Sequence, residues 1–125
     1  MKIKLIICSV FAVLLLTAAA SQTKVVAQKP SDIVGGYADL SVNSKEAKKF
    51  TRWAVAARSK STHKRIKLVK IVKAEHQLVA GENYRLCMDV REGRRRAHRV
   101  TVVVYENLKG KLKLSHWKTG ECTDL

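Results

Sequence analysis

Hydrophobic positions recur with a helical period and then, further along the chain, alternate, and this change lays out the molecule. Asn43 with Glu46 three positions on forms a capping box that predicts a helix start. Ala47, Phe50, Ala54 and Ala57 follow at spacings of three and four, so they share one helical face. Trp53 and Val55 widen that face, while Lys45, Lys48, Lys49 and Arg52 fall largely off it. The helix is predicted to stop near Ser59-Lys60-Ser61, where small polar residues gather. Residues 66–77 are then rich in Ile, Val and Leu. Tyr84, Leu86, Met88 and Val90 alternate with Asn83, Arg85, Cys87 and Asp89; Val100, Val102 and Val104 alternate with Arg99, Thr101, Val103 and Tyr105; Leu112 and Leu114 alternate with Lys111, Lys113 and Ser115. These read as four strands. Turns fall at Ala80-Gly81, at Glu92-Gly93-Arg94 and at residues 107–110. Connections this short favour an antiparallel meander. One helix covering one such sheet is a two-layer α+β domain.

Successive turns of a meander lie at opposite ends of the sheet. The Ala80-Gly81 and 107–110 turns therefore share one end, expected to be neutral and partly apolar. Arg94, Arg95 and Arg96 form a basic patch at the other, roughly 20 Å away for strands of about six residues. Gly81 interrupts a strand-like run, which marks a bulge, a tight turn or the close approach of another backbone.

At the N-terminus, Lys2 and Lys4 precede an apolar block over residues 5–16 and then Thr17-Ala18-Ala19-Ala20-Ser21. This is the pattern of a secretory leader over residues 1–20, cleaved after Ala20 or, as a second option, after Ala27. Residues 21–32 contain the only proline, Pro30, and no periodicity, and read as a mobile arm before a single domain over residues 33–125. The expected product is secreted and extracellular. The whole chain carries a formal +15; removing Lys2 and Lys4 leaves 23 basic and 10 acidic residues, or +13. Such charge fits an anionic polymer, an anionic membrane or plain solubility. Loss of Cys8 leaves Cys87 and Cys122, an even count that in an oxidising compartment favours one disulfide, with a buried free thiol as the alternative.

Gln77-Leu78-Val79-Ala80-Gly81 resembles the Gln-x-Val-x-Gly loop of the cystatins, protein inhibitors of papain-like cysteine proteases. Ile33-Val34-Gly35-Gly36 is similar to that family's N-terminal segment, Trp53-Ala54-Val55 sits where its helix carries Phe-Ala-Val, and Asn83-Tyr84 follows the loop as in many members. The resemblance spans residues 33–122. It implies one long helix on a four- to five-stranded antiparallel sheet and a reversible, non-covalent wedge inserted in a protease cleft. In that reading Ile33 and Val34 fill apolar subsites, Gly35 acts as the hinge with Gly36 beside it in the binding segment, residues 77–81 make the central contact, and Asn107 and Leu108 come from the second hairpin. Gly81 would allow the loop to lie against the enzyme backbone.

Two departures stand beside the match. The family's second hairpin usually carries Pro-Trp, whereas this turn reads Tyr105-Glu106-Asn107-Leu108-Lys109-Gly110; Trp117 comes later and is expected to pack on the sheet. Secreted animal cystatins typically hold two disulfides in the C-terminal half, and this chain has one possible pair. Legumain inhibition, carried in some members by an Asn in the loop after the helix, is not expected, because residues 59–65 contain no Asn. His63, His76, His98 and His116 lack metal-ligand spacing, and Cys87 with His76 is a poor nucleophile–base candidate beside a disulfide. No enzyme, metal or cofactor is expected. An inhibitor of papain-like proteases is the first functional reading; a cationic defence or polyanion-binding protein on the same fold is the second.

Overall fold

In the computed structural model, which describes residues 35–125, helix α1 (Lys45–Thr62) is opened by Ser44 rather than Asn43. The Ser44 hydroxyl accepts from the Ala47 amide at 3.1 Å, satisfying one of the free N–H groups of the first turn. Asn43 instead donates its own amide to the Ser41 hydroxyl. The helix continues one residue past Ser61 because the late polar residues bond within it: Thr62 and Ser61 hydroxyls donate to the Arg58 carbonyl, and His63 closes it in the left-handed conformation at φ 54°. Ala47, Phe50, Thr51, Ala54 and Val55 are its buried residues. Ala57 is only half-buried, and Thr51 is admitted to the core because its hydroxyl donates to the Ala47 carbonyl at 2.7 Å.

Five strands form one antiparallel sheet in chain order: β1 (Ala38–Leu40), β2 (Ile66–Val79), β3 (Gly81–Glu92), β4 (His98–Glu106) and β5 (Leu112–Thr119). The fifth member is the short β1, paired with the end of β2 through Ala38 and His76. The inner sheet face supplies Tyr84, Leu86, Met88, Val90, Val100, Val102 and Val104, all buried against the helix. Phe50 stacks on Tyr84 with ring centroids 3.8 Å apart. Burial of a side chain like Phe50 contributes about 1.5–3 kcal/mol.

Strict alternation fails at three places, each an inserted residue. In β2, Val69 and Val72 fall between paired positions, at Leu68/Lys70 and Ile71/Lys73. In β5, Ser115 is skipped between Leu114, opposite Val104, and His116, opposite Val103. That bulge reverses the parity of β5, so Trp117 pairs with Val102 and packs against the core.

The outer sheet face is not open to solvent at its centre. Cys87 and Cys122 form a disulfide with Cα atoms 5.6 Å apart, which draws the C-terminal tail across that face. The Thr123 amide donates to the Thr101 hydroxyl at 3.2 Å, and Asp124 pairs with Arg85 at 3.1 Å. Thr101, Val103 and Arg85 are buried as a result. Closing a loop of 35 residues contributes about 3–4 kcal/mol in the chain-entropy model.

Candidate functional site: the edge of two hairpins

Strand β2 extends through Gln77, Leu78 and Val79, further than its apolar run suggested, so the first hairpin turns on Ala80 alone with Val79 paired to Gly81. Glu82 pairs with Glu106, which sets the β4–β5 turn beside this tip. Within that second turn the Asn107 side-chain oxygen accepts from the amides of Lys109 and Lys111 at 3.0 and 2.8 Å, and Gly110 donates to the Asn107 carbonyl. The Tyr105 hydroxyl donates to the Ala80 carbonyl at 2.5 Å, tying one tip to the other.

This neighbour explains Gly81. The residue sits at φ +106°, and a Cβ there would collide with the Glu106 carbonyl oxygen and meet the Tyr105 ring at 3.0 Å. The backbone that approaches Gly81 closely is the protein's own second hairpin, so the glycine is required before any partner arrives.

Gln77 is similarly committed. Its amide nitrogen donates to the Gly35 carbonyl at 2.7 Å, and its amide oxygen accepts from Asn83 at 2.9 Å. Gly35, the first described residue of the N-terminal segment, is thereby tied to the hairpin. Ile33 and Val34 lie outside the described residues, as do the leader and the arm over residues 21–32. The apolar side chains that the edge leaves exposed are Leu78 (64%), Val79 (46%) and Leu108 (84%), with Ala80 beside them, and Lys109 and Lys111 are exposed on the second tip. Gln77 and Asn107, both half-buried, are thus engaged in hydrogen bonds within the edge, while Leu78, Val79, Ala80 and Leu108 are exposed.

The edge is also not neutral. Glu82 and Glu106 are opposed across the strands. The Tyr84 hydroxyl donates to the Glu82 carboxylate, and burial together with that carboxylate pushes the phenol well above its usual value. His76 Nδ1 lies 3.5 Å from the other Glu82 oxygen. Tyr105 and Asn83 are the structural residues that periodicity did not single out: Tyr105 bonds across to the other tip, and Asn83 bonds to Gln77 directly opposite it in the same hairpin.

The basic patch lies at the other end of β3. Arg94, Arg95 and Arg96 are exposed on the β3–β4 turn, about 36 Å from Gly81 for a twelve-residue strand. The strands are longer than the six residues expected, so the separation is larger too. Among the described residues no group of three or more His, Cys, Asp or Glu could hold a metal ion, and no helix is long and apolar enough to cross a membrane.

Comparison with known proteins agrees with this architecture. Residues 40–118 match the family model SQAPI, described as aspartic acid proteinase inhibitor. A protein assigned as cysteine proteinase inhibitor 7 in Oryza sativa subsp. japonica is 30% identical over 93 residues, covering 74% of this chain and 80% of that one. Cysteine proteinase inhibitor 3 of Arabidopsis thaliana is 38% identical over 63 residues, covering 49% of this chain and about half of the relative. Among solved structures, the salivary cystatin of the soft tick Ornithodoros moubata superposes with a TM-score of 0.61 at 14% identity, covering 70% of this chain and 98% of that one. A protein designated Al-CPI superposes with a TM-score of 0.56 at 17% identity, covering 69% of this chain and all of that one. Helix, sheet order, matched length and relatives agree: the chain belongs to the cystatin family.

Proposed function

We propose that this chain is a reversible inhibitor of papain-like cysteine proteases, binding without covalent chemistry through the edge formed by the arm, the β2–β3 tip and the β4–β5 tip. The observation that carries the reading is the exposure of Leu78, Val79 and Leu108 on two tips already tied together by hydrogen bonds. A preorganised apolar edge loses little ordering entropy on binding, so more of its burial appears as affinity. Ile33 and Val34 add further apolar contacts in this reading, and Leu108 takes the place at the second tip that Pro-Trp holds in other members. Removal of the leader over residues 1–20 would release the inhibitor outside the cell.

A second target class has its own support, since the matching family model is described as aspartic acid proteinase inhibitor. Titrating papain and pepsin in parallel with the chain from Ser21 onward decides between them. Loss of papain activity alone supports the first reading. Loss of pepsin activity alone transfers the edge to aspartic proteinases, and inhibition of neither overturns both.

A further inference from the structure

Cations on the outer face and at the two ends of the sheet are treated differently by the fold. Arg85 is bonded to Glu75 at 2.6 Å and to Asp124 at 3.1 Å, Lys73 to Glu75 at 2.9 Å, and Arg99 to Asp89 at 2.9 Å with Glu121 at 3.5 Å. At the end opposite the hairpin tips this pairing thins to Lys64 with Glu92. The junction of α1 with β2 and the β3–β4 turn are brought together there by the Gly93 amide donating to the Arg65 carbonyl at 2.8 Å. They enclose a concavity of about 290 Å³ lined by Lys64, Arg65, Glu92, Gly93, Arg94 and Arg95. Glu92 is its only carboxylate, shared between Lys64 at 3.6 Å and His98 at 3.9 Å.

Among the described residues, no carboxylate lies within ion-pair distance of Arg65, Arg94, Arg95 or Arg96. Beside them Lys67 sits directly opposite Arg91 across β2 and β3, both exposed. Like charges in that position destabilise a sheet. The helix C-terminus accounts for Lys60 in its last turn and at most for Lys64; it does not account for the three arginines on another element. Repulsion concentrated in one place, with Glu92 as the single carboxylate in the concavity and none beside the arginines, points to an external anion.

We infer that this end binds an acidic polysaccharide, a polymer carrying carboxylate or sulfate groups on successive sugars. The guanidinium fork matches such groups in a bidentate fashion. No aromatic ring lines the concavity, so it offers no platform for stacking bases. No apolar side chain lines it either, which removes the insertion that anchors a protein on a membrane surface. Its volume lies near the lower end of small-ligand sites, about 300 Å³, and admits a sugar-sized unit more readily than the convex rod of a duplex.

The test measures binding of the chain from Ser21 onward to heparin and to polygalacturonate across a salt series, with no protease present, so that its outcome is independent of the inhibitor reading. Three proteins are compared: wild type, R94S/R95S/R96S, and K48Q/R52Q/K118Q, which removes the same charge from exposed positions elsewhere. The turn variant should lose at least tenfold in affinity and show a shallower salt dependence, and the dispersed variant should lose less than threefold. Equal losses in the two variants would mean that net charge alone drives binding, and would overturn the site. Tighter binding to duplex DNA or to anionic phospholipid vesicles than to either polysaccharide at the same salt would overturn the ligand class.

Discussion

The β2–β3 and β4–β5 tips and the β3–β4 turn are all tight reversals of the same sheet, yet they distribute their polar groups in opposite ways. At the tips, Gln77, Asn83, Tyr105 and Asn107 direct their polar atoms into internal hydrogen bonds, and Leu78, Val79 and Leu108 are left in solvent. At the turn, the backbone is bonded, Gly93 to Arg65 and Arg95 to Glu92, while the side chains of Arg94, Arg95 and Arg96 are left in solvent. An end whose polar groups are already satisfied can be buried against a partner with little desolvation cost. An end with unsatisfied charge attracts counter-charge at long range and is sensitive to salt. The difference suits one end to contact binding and the other to electrostatic binding, as proposed above.

The contrast breaks most sharply if the apolar edge is removed. Changing Leu78, Val79 and Leu108 together to Ser should weaken protease inhibition at least 100-fold, about 2.7 kcal/mol, because each buried Leu or Val is worth roughly 1.5–3 kcal/mol at an interface. Thermal unfolding should be nearly unchanged, since all three side chains are exposed in the free protein. Retained inhibition with an unchanged melting temperature would remove the edge from the mechanism.

Gly81→Val tests the junction between the tips. A β-branched residue at φ +106°, with its Cβ against the Glu106 carbonyl, should cost about 2–3 kcal/mol of stability and at least tenfold in inhibition. Urea unfolding and protease titration read the two effects separately, and unaltered stability would contradict the close approach of the hairpins. Gln77→Ala is milder. Losing the bonds to Gly35 and Asn83 frees the arm, and inhibition should fall about fivefold, near the ~1 kcal/mol of a typical hydrogen bond. In a variant that begins at residue 37 the same substitution should have much less effect, because the arm it positions is gone; an undiminished effect would make Gln77 a direct contact.

Much of this was legible in the sequence, and the misses share a cause. The helix face and the inward residues of β3 and β4 followed from periodicity, because a long run of burial on one face leaves a long regular pattern. Val69, Val72 and Ser115 did not, since an inserted residue changes parity without changing composition, and Trp117 reached the core only through the Ser115 bulge. Strand β1 is three residues long and offers too few positions to alternate. Gln77 was visible as a motif residue, but its partner at Gly35 lies 42 positions away, and no local pattern encodes such a pairing.

The paired cations of the outer face supply a control for the unpaired ones at the turn. Burial alone would raise the Glu75 carboxyl, yet hydrogen bonds from Arg85 and Lys73 hold it below the usual value of 4.5. The unfolded chain therefore binds the proton more readily, so the contribution of this pair is present above about pH 4.5 and is lost as pH falls through the lower folded value. Urea midpoints measured from neutral to acid pH should decline on that side, and Glu75→Gln should flatten the decline. An unchanged slope would show that the Glu75 cluster is not ion-paired in solution.

The smallest expected effect is the most discriminating. R94S/R95S/R96S removes three charges about 36 Å from Gly81, several times the ~8 Å over which exposed charges interact at physiological salt. No residue of the edge touches this turn, so the substitutions should act independently of it. Protease inhibition should stay within about threefold of wild type, even while polysaccharide binding falls tenfold or more. The rigidity of β3 gives this separation its physical basis: all twelve residues pair with β2 and residues 82–90 pair with β4 as well, which holds the two ends apart. If the variant remained folded by circular dichroism and yet lost inhibition, the ends would be coupled through the sheet or the turn would itself enter the enzyme cleft. Either result would dissolve the division between a contact end and an electrostatic end. Inhibition at wild-type strength by variant protein that no longer binds the polymer would establish that division directly.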